Sequence, residues 1–170
     1  MIIDNEEHQT KEVYALYGLA MYYAQCCEKS LVMLLSSAWA SQVDQMITDD
    51  YDKLLQVNMK KTFGSLLKTL ESENKISREL TENINSVLKI RNFLAHDYFW
   101  DRAGEFTIHE GRTKMVSELN KYIDIFDELD LKLTEISDNW GEQKGVTEEM
   151  KAECMNKIIQ KAMHDYCNQI

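Results

Sequence analysis

The chain has no proline and only 6 glycines in 170 residues. Proline and glycine punctuate turns and edge strands, and a sheet protein of this size normally uses several of each. Their scarcity points to a mostly helical chain. An excess of basic residues is missing as well: 19 Lys+Arg stand against 29 Asp+Glu, a net charge of −10. That excludes a protein that coats nucleic acid or anionic membrane nonspecifically, since both need a basic surface. Long apolar runs are also missing. The longest uncharged stretches, Val13–Cys27 and Ser30–Val43, hold 15 and 14 residues, short of the roughly 20 that a bilayer requires. The start, Met-Ile-Ile-Asp-Asn-Glu-Glu, is acidic early and lacks the apolar core of a signal peptide. These features predict a cytoplasmic protein without a membrane partner.

Cysteine is sparse. Cys26, Cys27, Cys154 and Cys167 form no CxxC pair, and the expectation is buried free thiols in a reducing compartment. His164 and Cys167 stand three apart, a slight metal hint on a helix. HExxH, P-loop, GxGxxG and GxSxG patterns do not occur, so neither a metal nor a cofactor is expected.

What is present is a seven-residue recurrence of apolar residues. Val13, Tyr17, Ala20, Ala24, Cys27, Leu31, Leu34 and Ala38 alternate steps of four and three, the seam of a long helix in a bundle. It is placed at roughly residues 9–42. Thr48, Asp49 and Asp50 can cap a short helix carrying Leu54, Leu55 and Val57. Gly64 suggests a break near Thr62, before a second short helix with Phe63, Leu66, Leu67 and Leu70 that the polar run Glu71–Lys75 ends. A third long element starts near Ser77, with the stripe Leu80, Ile84, Val87, Arg91, Leu94, Tyr98, and stops at Ala103-Gly104. Thr107 and Glu110 read as a capping box for the next helix, striped by Met115, Leu119, Tyr122, Phe126, Leu129, Leu133 and Ile136. Asp138–Gly145 reads as a loop. Thr147 caps a last helix whose apolar face is Met155, Ile158, Ala162 and Tyr166. The sum is one all-α domain over 1–170: an antiparallel bundle of four long helices plus one or two short ones. Its core bundle covers about 9–137, with an additional C-terminal helix at about 147–168.

One position breaks the pattern. Arg91 stands in an apolar stripe where a Leu is expected. Burying a guanidinium without partners costs several kcal/mol, so it needs a carboxylate, an opening to solvent or a task. Its neighbours read Arg91-Asn92-Phe93-Leu94-Ala95-His96-Asp97-Tyr98-Phe99-Trp100. Asn92 and His96 share one helical face and Arg91 and Tyr98 another. Arg91 and His96 lie about 140° apart at 100° per residue. They fill one pocket only if the helix ends between them or a second chain contributes. Residues 85–115 carry a local charge of +1, against −11 for the rest, so an anionic ligand prefers this region. Taken singly, His96 reads more readily as a structural histidine, and Tyr98, Phe99 and Trp100 as core rather than a base-stacking platform.

Arg91-Asn92-x-x-x-His96-x-Tyr98 resembles the R-x4-H signature of HEPN domains, small helical bundles of prokaryotic defence and toxin–antitoxin systems, and its longer R-x4-H-x-Y form resembles the HepT-like toxins. The resemblance covers the motif closely and the helical layout of about 10–137 loosely. It implies a metal-independent endoribonuclease, active on RNA as a homodimer in which two motifs face one cleft. Arg91, His96 and Asn92 would be catalytic. Tyr98 would position substrate or be modified by an antitoxin nucleotidyltransferase partner. The rival reading is a non-catalytic HEPN-like bundle that binds a nucleotide or a partner protein, with Arg91 and His96 in a structural network.

Overall fold

The computed structural model describes residues 2–40, 48–72 and 76–167. Within them the chain is mostly helix, joined by short turns, with no strand. In chain order the helices are α1 (Ile2–Ala40), α2 (Thr48–Met59), α3 (Phe63–Ser72), α4 (Arg78–His96), α5 (Tyr98–Asp101), α6 (Ala103–Phe106), α7 (His109–Gln143) and α8 (Glu148–Cys167). The expected ends of the first helix at 42 and the last at 168, and part of the polar run after α3, lie outside the described residues.

The seven-residue stripes form the core. Val13, Ala20, Ala24, Cys27, Leu31, Leu34 and Ala38 of α1 are buried, as are Leu80, Ile84, Val87, Leu94 and Tyr98 around α4. Met115, Leu119, Phe126, Leu129 and Leu133 of α7 complete the cluster, and Phe63, Leu66, Leu67 and Leu70 of α3 close one side. At about 1.5–3 kcal/mol for each large apolar side chain removed from water, this seam supplies the drive that orders such long helices.

Direction distinguishes the neighbours. Gln9 meets Arg112 and Thr113, Cys27 donates its Sγ–H to the Phe126 carbonyl, and Ser30 bonds Asp130. Both residue numbers rise together, so α1 and α7 run parallel. The expected antiparallel arrangement holds for α4 against each of them. Tyr17 and Glu28 of α1 reach Leu94 and Arg91, and Tyr98 reaches Met115 while Val87 lies beside Leu129. Three long helices in up-down-up order leave the first and third parallel by necessity.

α1 starts at Ile2, ahead of the expected residue 9, and both expected boundaries of α7 differ. Thr107 does not cap α7: its hydroxyl donates to the Gly104 carbonyl, and Ile108, without a side-chain cap, precedes the helix. Glu110 therefore falls one position early for a capping box. The segment 138–143, expected as loop, is the last part of α7. The helix stops where Gly145 takes φ +86°. Gly145 N–H then bonds the Glu142 carbonyl and Val146 N–H the Gly141 carbonyl, at 2.9 and 3.0 Å. This is a Schellman closure, which needs a residue free of the left-handed penalty. Thr147 accepts from the Met150 N–H at 3.3 Å, the expected cap of α8. The face of α8 is not core: every residue from Ala152 to Cys167 is exposed.

Candidate functional site at the α4–α5 corner

Ser77 starts α4 by accepting the Leu80 N–H at 3.1 Å. The helix ends at His96 for a tertiary reason. The Tyr17 hydroxyl of α1 donates to the Leu94 carbonyl at 3.0 Å, the acceptor that a continuing helix would offer to residue 98. Bonds from Asp97 N–H to Phe93 O and from Asp101 N–H to Asp97 O carry the chain past the break into α5. The helix thus stops well before Ala103-Gly104, the expected end, and after both Arg91 and His96.

The four motif residues part ways at this corner. The Arg91 side chain is one-third exposed (32%), 3.7 Å from a Glu28 carboxylate oxygen, and it donates to Asn92 Oδ1 at 3.2 Å. It flanks the core between α1 and α4 rather than sitting in it. Asn92 and His96 are exposed on the outer face. His96 has no hydrogen bond or ion pair among the described residues, so its imidazole is open to a ligand. Tyr98 is buried at 1% exposure. It lies 5.9 Å from the Tyr17 ring in a stacked pair and donates to the Met115 carbonyl at 3.5 Å. Burial, with Glu118 nearby, pushes its hydroxyl well above the ordinary tyrosine range. A modifying enzyme reaches that oxygen only if the corner opens. Within one chain, Arg91 and His96 keep the divergence their spacing predicts. Trp100 is not core: it stands 85% exposed on α5, one turn beyond His96.

Two polar clusters next to the motif were not visible as such in the sequence. Arg102 donates from Nε and a terminal nitrogen to the two oxygens of Glu118 at 3.0 and 2.7 Å. The Tyr122 hydroxyl adds a bond to the same carboxylate at 3.1 Å, and the guanidinium lies over the Phe93 ring at 5.3 Å. Partial burial opposes ionisation of Glu118, but the Arg102 bonds and charge overcome it and hold the carboxyl below its usual range. Burial, then the Glu118 charge, pushes Tyr122 up to about 12. Such a forked pair clamps the corner onto α7.

The second cluster contains the buried arginine of this protein, which is Arg112 and not Arg91. Arg112 is 4% exposed. It donates to the Phe106 carbonyl at 3.0 Å and to Gln9 Oε1 at 3.2 Å, with Glu6 at 3.5 Å. Gly111 beside it lets the α6 backbone come close, since a Cβ there would stand 2.0 Å from the Glu105 carbonyl oxygen. The Gly-Arg pair was a usable signal in the sequence. Its partners, about 100 residues away, were not.

Among the described residues no group of three or more His, Cys, Asp or Glu converges, and His164 and Cys167 are both exposed. The expectation of buried thiols holds for Cys27, which burial pushes up to about 12. It does not hold for Cys154 and Cys167, which are exposed, while Cys26 is half-buried. A groove of about 230 Å³ between α4 and α7, lined by Ser86, Val87, Glu128 and Lys132 among others, lies toward the N-terminal half of α4, away from His96. No protein-family model, curated protein or solved structure matches the chain.

Proposed function

We propose that the chain is a HEPN-type metal-independent endoribonuclease, with the fold of a HEPN-like helical bundle, acting in the cytoplasm as the toxin of a bacterial toxin–antitoxin or phage-defence system. The observation that carries the reading is the R-N-x-x-x-H segment at the end of α4, with Asn92 and His96 on the open face and an arginine beside them. An unpaired exposed imidazole is suited to take the RNA 2′-hydroxyl proton or to protonate the leaving oxygen near neutral pH. Arg91 would stabilise the charge that gathers on the phosphorus centre, and Asn92 would orient a phosphate oxygen or the guanidinium it already contacts. Because Arg91 and His96 diverge on α4, the reaction requires a homodimer in which the arginine of one protomer and the histidine of its partner meet across the cleft. Tyr98 then acts through the packing that holds the α4–α5 corner. Its modification by an antitoxin nucleotidyltransferase requires that corner to open.

The second reading, a non-catalytic bundle that binds a nucleotide or a partner protein, is favoured by the Arg91–Glu28 ion pair, which gives the guanidinium a structural partner. One experiment separates the two: the purified chain with total RNA and with tRNA, in the presence of a chelator, beside Arg91→Ala and His96→Ala. The ribonuclease reading expects cleavage that survives the chelator and is abolished by either substitution with the fold intact. Cleavage that needs magnesium, or that persists in His96→Ala, overturns it.

A further inference from the structure

Trp100, at 85%, is more exposed than any other large apolar side chain among the described residues. Leaving an indole in water forgoes most of the stabilisation that its burial would supply, and tryptophan is on average a highly buried residue. The surroundings of this one are polar. At about 100° per residue, Lys89, Asn92 and Trp100 fall within about 40° of His96, and all four are exposed. The core residues Leu80, Val87, Leu94 and Tyr98 lie on the far side. Bonds from Asp97 N–H to Phe93 O and from Asp101 N–H to Asp97 O keep the four-residue spacing across the end of α4, so the four side chains make one outward ridge. Asp97 and Asp101 leave it on the flank opposite Asn92. Lys89, His96 and Trp100 have no hydrogen bond, ion pair or ring contact among the described residues.

We propose that Trp100 is a stacking platform for an unpaired base of single-stranded RNA, whose backbone runs along this ridge past His96 and Asn92 toward Lys89. The inference rests on the ribonuclease reading for the choice of RNA, and it adds how the strand is held and why it is unpaired. A single flat ring among polar and titratable groups suits a base better than a protein surface. The anchor of a protein interface is enclosed by further contacts that exclude water, whereas the rings beside Trp100, Phe93 and Phe99, are drawn into the core, and Arg102 lies over Phe93. A base needs only the face of one ring, and stacking accepts every base. The net charge of −10 points the same way. With so acidic a chain the phosphate contribution that usually dominates is weak, so affinity has to come from an uncharged contact. Four residues of helix rise about 6 Å, which puts the indole and the His96 imidazole within the span of one nucleotide, the base on one and a phosphate beside the other. A base inside a duplex has both faces covered by its neighbours, so a lone protruding ring selects single strands, loops and ends.

The test reads binding rather than cleavage, so its failure is distinct from that of the ribonuclease reading. The probe is a labelled single-stranded 2′-O-methyl oligonucleotide of mixed sequence, which lacks the attacking 2′-hydroxyl and cannot be cut, beside the same strand annealed to its complement. Fluorescence anisotropy should show the full chain binding the single strand more tightly than the duplex. The strand should also quench a part of the tryptophan emission that is missing in Trp100→Phe. Trp100→Phe should keep most of the affinity, whereas Trp100→Ala and Trp100→Leu should each lose about ten-fold, the loss of one base stack. Leucine keeps apolar bulk without a flat π-face, so it separates stacking from general apolar contact. Lys89→Gln should flatten the dependence of log affinity on log salt by about 0.7, one phosphate contact of a single strand. Circular dichroism checks that the fold is unchanged, as expected for exposed positions. A parent chain that does not bind the strand or whose emission it leaves unquenched, a Trp100→Ala that binds as the parent does, or a Trp100→Leu no weaker than Trp100→Phe overturns the stack. An unchanged salt slope in Lys89→Gln overturns the path along the ridge. Binding with the expected pattern in a chain that leaves RNA intact would sustain the stack and remove the ribonuclease reading.

Discussion

Gly111→Ala is expected to be among the most damaging single-methyl additions in this protein. Residue 111 lies in the first turn of α7, where α6 crosses it. An ideal Cβ at that point meets the Glu105 carbonyl oxygen at 2.0 Å, its Cα at 2.5 Å and its carbonyl carbon at 2.6 Å. All three are backbone atoms, so no side chain can swing aside. Relief requires α6 to move by about an ångström or more, since contacts under 3.0 Å are essentially never seen. That movement would pull the Phe106 carbonyl from buried Arg112, which bonds it at 3.0 Å. Overpacking costs about 1–3 kcal/mol, and a buried charged donor losing its acceptor adds about 1–3 kcal/mol. A total near 4 kcal/mol corresponds to a fall in Tm of roughly 8–16 °C for a chain of this size. Gly104→Ala, seven residues earlier at the same corner, is the control. Its Cβ would meet nothing within 4 Å, and a helical Ala in place of Gly stabilises by about 0.4–1 kcal/mol. Thermal melts followed by circular dichroism should move in opposite directions for the two substitutions. A Gly111→Ala melt at or above that of the parent would refute the close approach of α6 and α7.

Further outcomes follow from the same contacts. Arg91→Leu should change stability by less than about 1 kcal/mol in a denaturant titration, because the 3.7 Å pair with Glu28 is partly exposed; under the ribonuclease reading it nevertheless abolishes cleavage, and retained cleavage would leave Arg91 a structural residue. Glu118 is held below its usual range in the folded state, so its contribution is present above its unfolded value of about 4.3 and is lost as pH falls through its folded one. The parent should therefore lose more stability than Glu118→Gln between roughly pH 5 and pH 3, and parallel acid limbs would count against the Arg102 clamp. In thiol titration of the folded protein, Cys154 and Cys167 should react first and Cys27 only on unfolding, since burial and its bond to the Phe126 carbonyl suppress the thiolate. Prompt labelling of Cys27 would show that the α1–α7 seam opens.

The helices themselves were legible because periodicity is a local property. A stripe that repeats every seven residues has one efficient use, burial along a seam, and the stripes of α1, α4 and α7 occupy the core as their spacing predicts. Short-range chemistry was readable in part: Thr147 caps α8 by a bond to the N–H three residues on, whereas Thr107, read the same way, does not cap α7. The tertiary structure alone decided which stripes meet and in which direction. Bonds joining residues about 100 apart make α1 and α7 parallel, and no local pattern encodes that. A hydroxyl from Tyr17 takes the carbonyl at which α4 would continue, so the helix ends at His96 though the pattern runs on to Tyr98. Position in a stripe did not fix the burial of a charge. Arg91 lies on the flank of its seam beside Glu28, whereas Arg112, three residues before Met115 and in step with the α7 stripe, is enclosed where Gly111 lets α6 fold over it. The α8 stripe is as regular as the others and is exposed. Periodicity states that a face can be buried; only a partner within reach decides whether it is.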